Sequence, residues 1–522
     1  MSQENSVPTS EAKADRLAQR SRRSRRSAVV AVAFLALVVG VSEWLTPAET
    51  SSNDGGSAGI AGSRSQAVVN PQETRSTWFC AGGTSQPGGR ADETLTIANV
   101  GGDRSFIADI KVSVMAGVGV ATGRLDFKLA PAGSALSSAT GLPSVRSIPV
   151  SSILANPDPG VVVEASGAPV VVTHSVSGAG DVAATPCARG GSDTWYFAGG
   201  TTVLGAEQWL TLFNPFPGDA VVDLTFFTNT GVEAPGEAQG VVVAGTSRLS
   251  IPVHDLVPRR DAVATRVTTR RGRVIAEQVQ ILDGRDGRKG ITLAAGAPEL
   301  AKKWWFSGST AQEGRATTVS ILNPGATRVN VRIDTALVGA VTLAPIDLEI
   351  SPRSVSVTDV SSRVPAGTPF SWSLSMSGNA GGKGELSAGI AASALIAQSG
   401  IGSGIAADAG SSFATSSWYL LSPDLLGGAT REIAIFNASN KRVTWRIRTL
   451  GAPAGSKTPQ GTLAPRGLSR QSMAASGVMQ VLANGLVTIS EVSQGPRGLI
   501  LSGGLPICPS PLVGSAPEVA SC

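Results

Sequence analysis

The chain has 522 residues, enough for several domains, and its 42% hydrophobic content excludes a globally disordered protein. Its 62 Gly and 31 Pro, among abundant Val, Ala, Thr and Ser, predict many short strands joined by turns. Residues 1–27 hold seven basic and three acidic side chains, so +4 of the net charge of +5 lies there. The rest is nearly neutral, which excludes the main body as an electrostatic nucleic-acid binder.

The first segments predict a membrane attachment. Residues 1–27 read as a basic cytoplasmic tail, and the apolar residues 28–45 that follow read as a single-pass transmembrane anchor. Residues 46–76, rich in Ser, Gly, Asn and Gln, predict a flexible linker. The alternative is a cleaved signal peptide and a secreted body. Both interpretations place the rest of the chain outside the cytoplasm.

Self-similarity is the most informative feature of the remaining sequence. An aromatic pair opens a strand at four places, 110 to 117 residues apart, led by Trp78, Trp195, Trp305 and Trp418. Each pair is followed by an alternating strand that ends in Asn, at Asn99, Asn214, Asn323 and Asn437. This order predicts four repeats and a C-terminal tail, at 77–190, 191–300, 301–412, 413–508 and 509–522.

Period-2 alternation with frequent turns predicts an all-β fold after the N-terminal helix. Six or seven short strands in about 110 residues are typical of an antiparallel β-sandwich, so we expect tandem immunoglobulin-like sandwich repeats. A β-propeller-like ring is the alternative, although blades usually contain far fewer residues.

Four cysteines in an exported chain predict disulfides. Cys80 and Cys187 bracket repeat 1, so one pairing joins them and leaves Cys508 to pair with Cys522. The other pairing joins Cys80 to Cys508 and favours the ring. The spacing offers no CxxC, and we expect neither a metal nor a cofactor.

The repeated tryptophans have two interpretations. Exposed indoles can stack on sugar rings, which would make Trp78, Trp195, Trp305 and Trp418 glycan contacts. Since a recurrent indole more simply anchors a core, we expect these four to be interior anchors.

Few residues suggest catalysis. His174 lies on an alternating strand, where the sequence aligns it with Glu277 and Glu491, and we expect it on the solvent face. His254 precedes Asp255, a pair that can support general-base chemistry, but no nucleophile motif accompanies them. The sequence therefore predicts a protein that is not an enzyme.

Several segments resemble an actinobacterial family of membrane-anchored or secreted β-repeat proteins of unknown function. They are WFCAGG, WYFAGGTT, LFNP, ILNP and VVAGTSRLSIPV, within roughly residues 75–510. The resemblance implies an exported β protein of high-GC Gram-positive bacteria and carries over no catalytic residue.

Together these observations predict a non-enzymatic structural or interaction protein of the bacterial cell envelope. We expect it to be held at the membrane by its N-terminal helix, with envelope proteins or glycans as partners and no nucleic acid. The alternatives are a binding module for cell-wall or capsular glycan and, less favoured, an envelope hydrolase.

Overall fold

The computed structural model describes residues 67–507 except 102–105, 118–119, 121, 340, 378–388, 401, 423–429, 453–455 and 474–476. The described part is all-β, as the alternation predicts, and belongs to one compact body. The predicted anchor at 28–45, Cys508 and Cys522 lie outside it. Within the described ranges, no helix has the length and apolar character needed to cross a membrane.

Repeat 1 consists of two antiparallel four-stranded sheets that enclose a core. The strand bounds are β1 Arg75–Cys80, β2 Asp92–Asn99, β3 Ala108–Met115, β4 Gly123–Leu129, β5 Val145–Pro149, β6 Gly160–Ser166, β7 Val170–Gly178 and β8 Asp181–Pro186. One sheet, called the outer sheet, has the strand order β1-β6-β3-β4. The other, called the inner sheet, has the order β5-β2-β7-β8 and contains the last strand of the repeat. A short helix, α1 (Ala135–Thr140), lies between β4 and β5.

Repeat 2 has the same plan with one additional short strand. Its strands are β9 Thr194–Phe197, β10 Ala206–Asn214, β11 Ala220–Thr228, β12 Gly231–Glu233, β13 Val241–Val243, β14 Ser247–Pro252, β15 Val263–Arg271, β16 Ile275–Asp283 and β17 Lys289–Ala295. The outer order is β9-β15-β11-β12, with β13 also pairing with β11, and the inner order is β14-β10-β16-β17. One helical turn, α2 (Val253–Leu256), follows β14.

Repeat 3 returns to eight strands. They are β18 Lys303–Thr310, β19 Arg315–Asn323, β20 Val329–Leu337, β21 Ile346–Ile350, β22 Ser354–Asp359, β23 Pro369–Ser377, β24 Ala391–Gln398 and β25 Gly404–Asp408. The orders β18-β23-β20-β21 and β22-β19-β24-β25 reproduce those of repeat 1 position by position.

Repeat 4 fuses two strands of this plan into one. Its strands are β26 Thr415–Ser422, β27 Thr430–Asn437, β28 Val443–Thr449, β29 Gln460–Leu463, β30 Leu468–Met473, β31 Gly477–Gly495, β32 Gly498–Gly503 and β33 Leu505–Pro506. The first half of the long strand β31 pairs with β26 and β28, and its second half pairs with β27 and β32. One strand therefore serves both sheets.

The recurrent asparagine explains part of the sequence repetition. Asn99, Asn214, Asn323 and Asn437 are all at most 1% exposed. Each side-chain amide donates to carbonyls of later segments of its own repeat, as from Asn214 to Gly218 and Val243. Each side-chain oxygen accepts the backbone N–H two residues on. A buried amide with all these partners fixes the turn after the strand.

The four repeats form a closed ring. Their last strands, β8, β17, β25 and β32, pack against one another in a circuit, and β32 returns to β8. The ends of the described body also meet, since the N–H of Val69 donates to the carbonyl of Pro506 at 2.9 Å. The described residues thus form an all-β body of several sheets whose units meet around a common axis.

Candidate functional site

Three of the predicted tryptophans lie inside their repeats. Trp78, Trp195 and Trp418 are at most 2% exposed and belong to separate core clusters. The indole N–H of Trp195 donates to the carbonyl of Val274 at 2.8 Å, and that of Trp418 donates to Val487 at 3.0 Å. Because these rings are buried and their N–H groups bond internally, they offer no exposed surface on which a sugar chain could stack. Trp418 also lines a cavity.

In repeat 3 the expected anchor is wrong by one position. The buried indole is that of Trp304, which is 3% exposed and donates to the carbonyl of Ile390 at 2.9 Å. Trp305 is only partly buried. Because successive side chains of a strand point to opposite faces, a one-residue error exchanges an interior position for an exterior one.

The second aromatic of each pair connects neighbouring repeats. Phe79, Tyr196, Trp305 and Tyr419 occupy equivalent positions, as their bridges to the segment after the last strand show. The ring of Phe79 lies 6.3 Å from Phe216 of repeat 2. Tyr419 of repeat 4 packs into the core of repeat 1, and its hydroxyl donates to the carbonyl of Val100 at 3.5 Å. The ring is closed by this contact.

Cys80 and Cys187 form a disulfide, with Cα atoms 4.8 Å apart. At the equivalent positions, repeats 2 and 3 have Phe–Gly pairs. A Cβ on Gly296 would lie 2.8 Å from the ring of Phe197, and one on Gly410 would lie 2.7 Å from Phe306. The disulfide therefore stands where repeats 2 and 3 have an aromatic–glycine contact.

The sulfurs of Cys80 and Cys187 lie within 4.8 Å of a ring nitrogen of His174. Since both sulfurs are held in the disulfide, neither is a thiolate, the form of cysteine that ligates metals. This cluster is therefore not a metal site in the disulfide-bonded protein.

His174 bridges two repeats through two carboxylates. Its Nδ1 lies 2.8 Å from Oε1 of Glu93 in repeat 1, and its Nε2 lies 3.1 Å from Oε2 of Glu277 in repeat 2. The three side chains are fully buried. The N–H of Gly82 donates to Glu277 at 2.6 Å, and a Cβ at Gly82 would lie 2.8 Å from the same carboxylate.

The environment holds His174 in its charged form. Burial alone would lower the pKa of His174, but Glu277 and Glu93 outweigh burial and raise this pKa to about 10. Burial raises the pKa of Glu93, against the opposing effect of His174. The charged His174 therefore forms ion pairs with both side chains, and the pair with Glu277 crosses the interface between repeats 1 and 2.

The expected solvent-face position of His174 is therefore wrong. The strand register also aligns His174 with Gln278 of repeat 2, not with Glu277, because both face equivalent leucines, Leu95 and Leu210. Glu277 lies one residue earlier, on the opposite face of its strand, and so reaches the neighbouring repeat. Glu491 faces Ile433 and is therefore the equivalent of His174 in repeat 4; it is 3% exposed and pairs with Arg431 at 2.9 Å.

At the ring axis, one carboxylate contacts all four repeats. Asp181 opens β8, is 3% exposed and accepts N–H bonds from Val182, Ile291, Ile405 and Leu499 at 2.8 to 3.4 Å. The last three donors belong to repeats 2, 3 and 4. Burial raises the pKa of Asp181 to about 6, against these N–H bonds.

The other repeats have glycine at the position of Asp181. A Cβ on Gly290, Gly404 or Gly498 would crowd the Asp181 carboxylate, with the severest overlap at Gly498. The three glycines therefore provide the space in which one aspartate reaches three neighbouring backbones.

A cavity of about 130 Å³ lies where the last strands end. It is lined by all four repeats, with Thr185, Ala294, Asp408 and Leu501 among its walls, and also by Trp305. Asp408 is 9% exposed, and its Oδ1 accepts the N–H of Gly410 at 2.8 Å. Burial raises the pKa of Asp408 to about 6, against the Gly410 bond.

His254 and Asp255 form no catalytic pair. Nδ1 of His254 lies 3.1 Å from the carbonyl oxygen of Gln208, and its ring packs edge-on against Trp209. Asp255 is exposed, and no bond joins it to His254. The His254 ring therefore has a packing role on α2.

Sequence reasoning missed the two axial aspartates, although a signal was present. When the repeats are aligned by strand register, the position of Asp181 is glycine in the other three repeats. The position of Asp408 is occupied by Thr185, Ala294 and Ser502. In both cases one repeat carries a charge where three have none. A residue that departs from an internal repeat is the pattern that would have identified them.

The comparisons with known proteins identify no activity. A model described as "Family of unknown function (DUF5719)" matches residues 148–302, which include the end of repeat 1 and all of repeat 2. A crystal structure from Thermotoga maritima, "Crystal Structure of Thermotoga maritima 1070", is 16% identical, covers 20% of this chain and 84% of that chain, and has a TM-score of 0.17. At that score the similarity carries no argument about fold. No curated protein matches the chain.

Proposed function

We propose that this chain is a non-enzymatic structural or interaction protein of the bacterial cell envelope, built as a rigid extracytoplasmic ring. One observation carries the proposal: the buried ionisable groups Glu93, His174, Glu277 and Asp181 bind the repeats to one another. Groups held in this way have a structural role, because each is paired inside the protein and is not accessible to solvent.

The proposal includes a single-pass anchor at 28–45 and membership of the actinobacterial β-repeat family. The basic residues before the apolar segment support the anchor through the positive-inside rule. We also take the repeats as immunoglobulin-like, on the basis of the two antiparallel sheets of repeats 1 to 3 and their recurring strand order.

Glycan binding is the second candidate function. It is favoured by Trp305, whose partly exposed side chain belongs to a residue that lines the axial cavity. The other three positions of the predicted set are buried, so a glycan site would depend on Trp305 and not on a row of indoles.

Protease treatment of intact cells tests the location of the body. The full chain, expressed in a high-GC Gram-positive host, should sediment with membranes, and external protease should remove repeats 1–4 while sparing a short N-terminal fragment. A body that is cleaved only after lysis would contradict the proposal.

Retention on purified cell-wall polysaccharide distinguishes the two candidate functions. The scaffold proposal predicts no specific retention of the full chain, and the same behaviour for Trp305→Ala. Trp209→Ala is the matched control, because Trp209 is also partly exposed but lies away from the cavity. Retention that is lost in Trp305→Ala and kept in Trp209→Ala would replace the scaffold function with glycan binding.

A further inference from the structure

The axial cavity contains the carboxylate of Asp408, which does not join one repeat to another. Asp408 ends β25 and is more than nine-tenths buried, and the carboxylate is bonded through one oxygen to the N–H of Gly410. For the other oxygen the described residues provide no hydrogen-bond donor. No ion pair to Asp408 occurs among them either.

The fold does not require a charge at this position. Thr185, Ala294 and Ser502 are the equivalents of Asp408 in the other repeats, and none is ionisable. Burying a carboxylate without a cation is strongly unfavourable. A ligand that supplies the missing positive charge would offset this cost.

The walls of the cavity identify the kind of cation. Phe413 and Trp418, whose rings stack at 6.0 Å with an angle of 15°, both line it. Aromatic rings attract organic cations, but they cannot replace the six to eight oxygen ligands that Ca²⁺ takes.

We propose that the axial cavity binds a small organic ammonium group, with the Asp408 carboxylate as its counter-ion and the Phe413–Trp418 pair as its apolar wall. The cavity of about 130 Å³ limits the ligand to a single head group and not a chain of sugars. This inference goes beyond the scaffold function and does not depend on it.

A matched pair of ligands tests the charge requirement. Choline and its neutral isostere 3,3-dimethylbutan-1-ol have nearly the same shape and are titrated into the full chain in nonionic detergent, with tryptophan fluorescence as the readout. We expect saturable choline binding and at least about tenfold weaker binding of the isostere, since a charged contact is lost. Absent saturation, or equal affinity for both compounds, would overturn the proposal.

Two variants test the role of Asp408. Asp408→Asn and Asp408→Ser, the latter reproducing Ser502, should each weaken choline binding by about tenfold or more. Asp347→Asn is the control, because Asp347 is exposed on β21 of the same repeat and should leave binding unchanged. Thermal melting reports whether each variant is folded. Unchanged choline affinity in a folded Asp408 variant would refute the assignment, and the ligand pair still decides if both variants unfold.

Discussion

At the scale of single residues, charge in this protein is mainly a means of joining repeats. His174 is held between Glu93 of its own repeat and Glu277 of the next, with all three side chains fully buried. A buried ion pair is not automatically stabilising, but removing one member leaves the other without compensation. The Glu93–His174–Glu277 contact therefore makes the interface between repeats 1 and 2 sensitive to substitution and to pH.

The pH dependence of stability should report on His174. Its pKa of about 10 in the folded protein lies above the ordinary value of 6.5. Its contribution is therefore complete below pH 6.5 and is lost as the pH rises toward 10. His174→Gln, which copies Gln278 of repeat 2, should lower the free energy of unfolding by about 3–5 kcal/mol at pH 6.

Denaturant unfolding of both proteins from pH 6 to 10 measures this effect. The difference between wild type and His174→Gln should shrink steadily across that range. A constant difference would mean that His174 is not charged in the folded state. Asp181 and Asp408, whose pKa values are raised to about 6, titrate at the acid end of this window in both proteins, so their contribution cancels in the difference.

The two adjacent tryptophans of repeat 3 should differ sharply in stability. Trp304→Ala removes a buried indole and the hydrogen bond to Ile390, so we expect a loss of about 3–5 kcal/mol. Trp305→Ala should cost less than half as much, because part of that side chain is already in solvent. Equal losses in chemical denaturation would show that the assignment of the interior position is wrong.

At the scale of the element, the last strand of each repeat has two tasks. β8 pairs with β7 inside its own sheet and packs against the last strands of repeats 2 and 4 at the axis. Val182 and Ala184 of β8 form one apolar cluster with Ile500 of β32. A short strand thus contributes both to a sheet and to the ring.

The disulfide offers a test of the equivalence between repeats. Replacing both Cys80 and Cys187 with Ser should lower the free energy of unfolding by about 4 kcal/mol, since the bond closes a loop with a sequence separation of 107 residues. Cys80→Phe with Cys187→Gly copies the pairs of repeats 2 and 3 and should recover part of that loss. If the Phe–Gly protein is the less stable of the two, the positions are not equivalent.

How far the sequence predicts this structure depends on the range of the interaction. Alternation along a strand is local, so the all-β fold was predictable, and the recurrent Trp and Asn revealed the repeats. The pair Trp304–Trp305 was misassigned because two adjacent indoles satisfy the same pattern. The contact between His174 and Glu277 was not predictable, because it requires knowing how two repeats are placed against each other.

At the scale of the whole molecule, the four repeats behave as one body. The second aromatic of each repeat packs on the next repeat, and Tyr419 returns to repeat 1. Independent tandem domains would lack such a closing contact. The closed arrangement leaves each repeat with two neighbours in the ring.

Cooperative unfolding should follow from this closure. Because every repeat shares buried surface with both neighbours, we expect circular dichroism and tryptophan fluorescence to report one coincident denaturation transition. Tyr419→Ala should shift that transition to lower denaturant, since it removes a side chain that is 4% exposed at the closing interface. Separate transitions in the wild-type protein would indicate repeats that are joined only by the chain.

The axial aspartate provides the most direct test of the ring. Hydrogen exchange, measured by mass spectrometry on wild type and Asp181→Ala, follows the amides of Ile291, Ile405 and Leu499, which lie in three different repeats and donate to this one carboxylate. Asp286→Ala, at an exposed hairpin tip, is the control. A closed ring predicts that all three segments lose protection together in Asp181→Ala. Faster exchange confined to the residues around position 181 would contradict it.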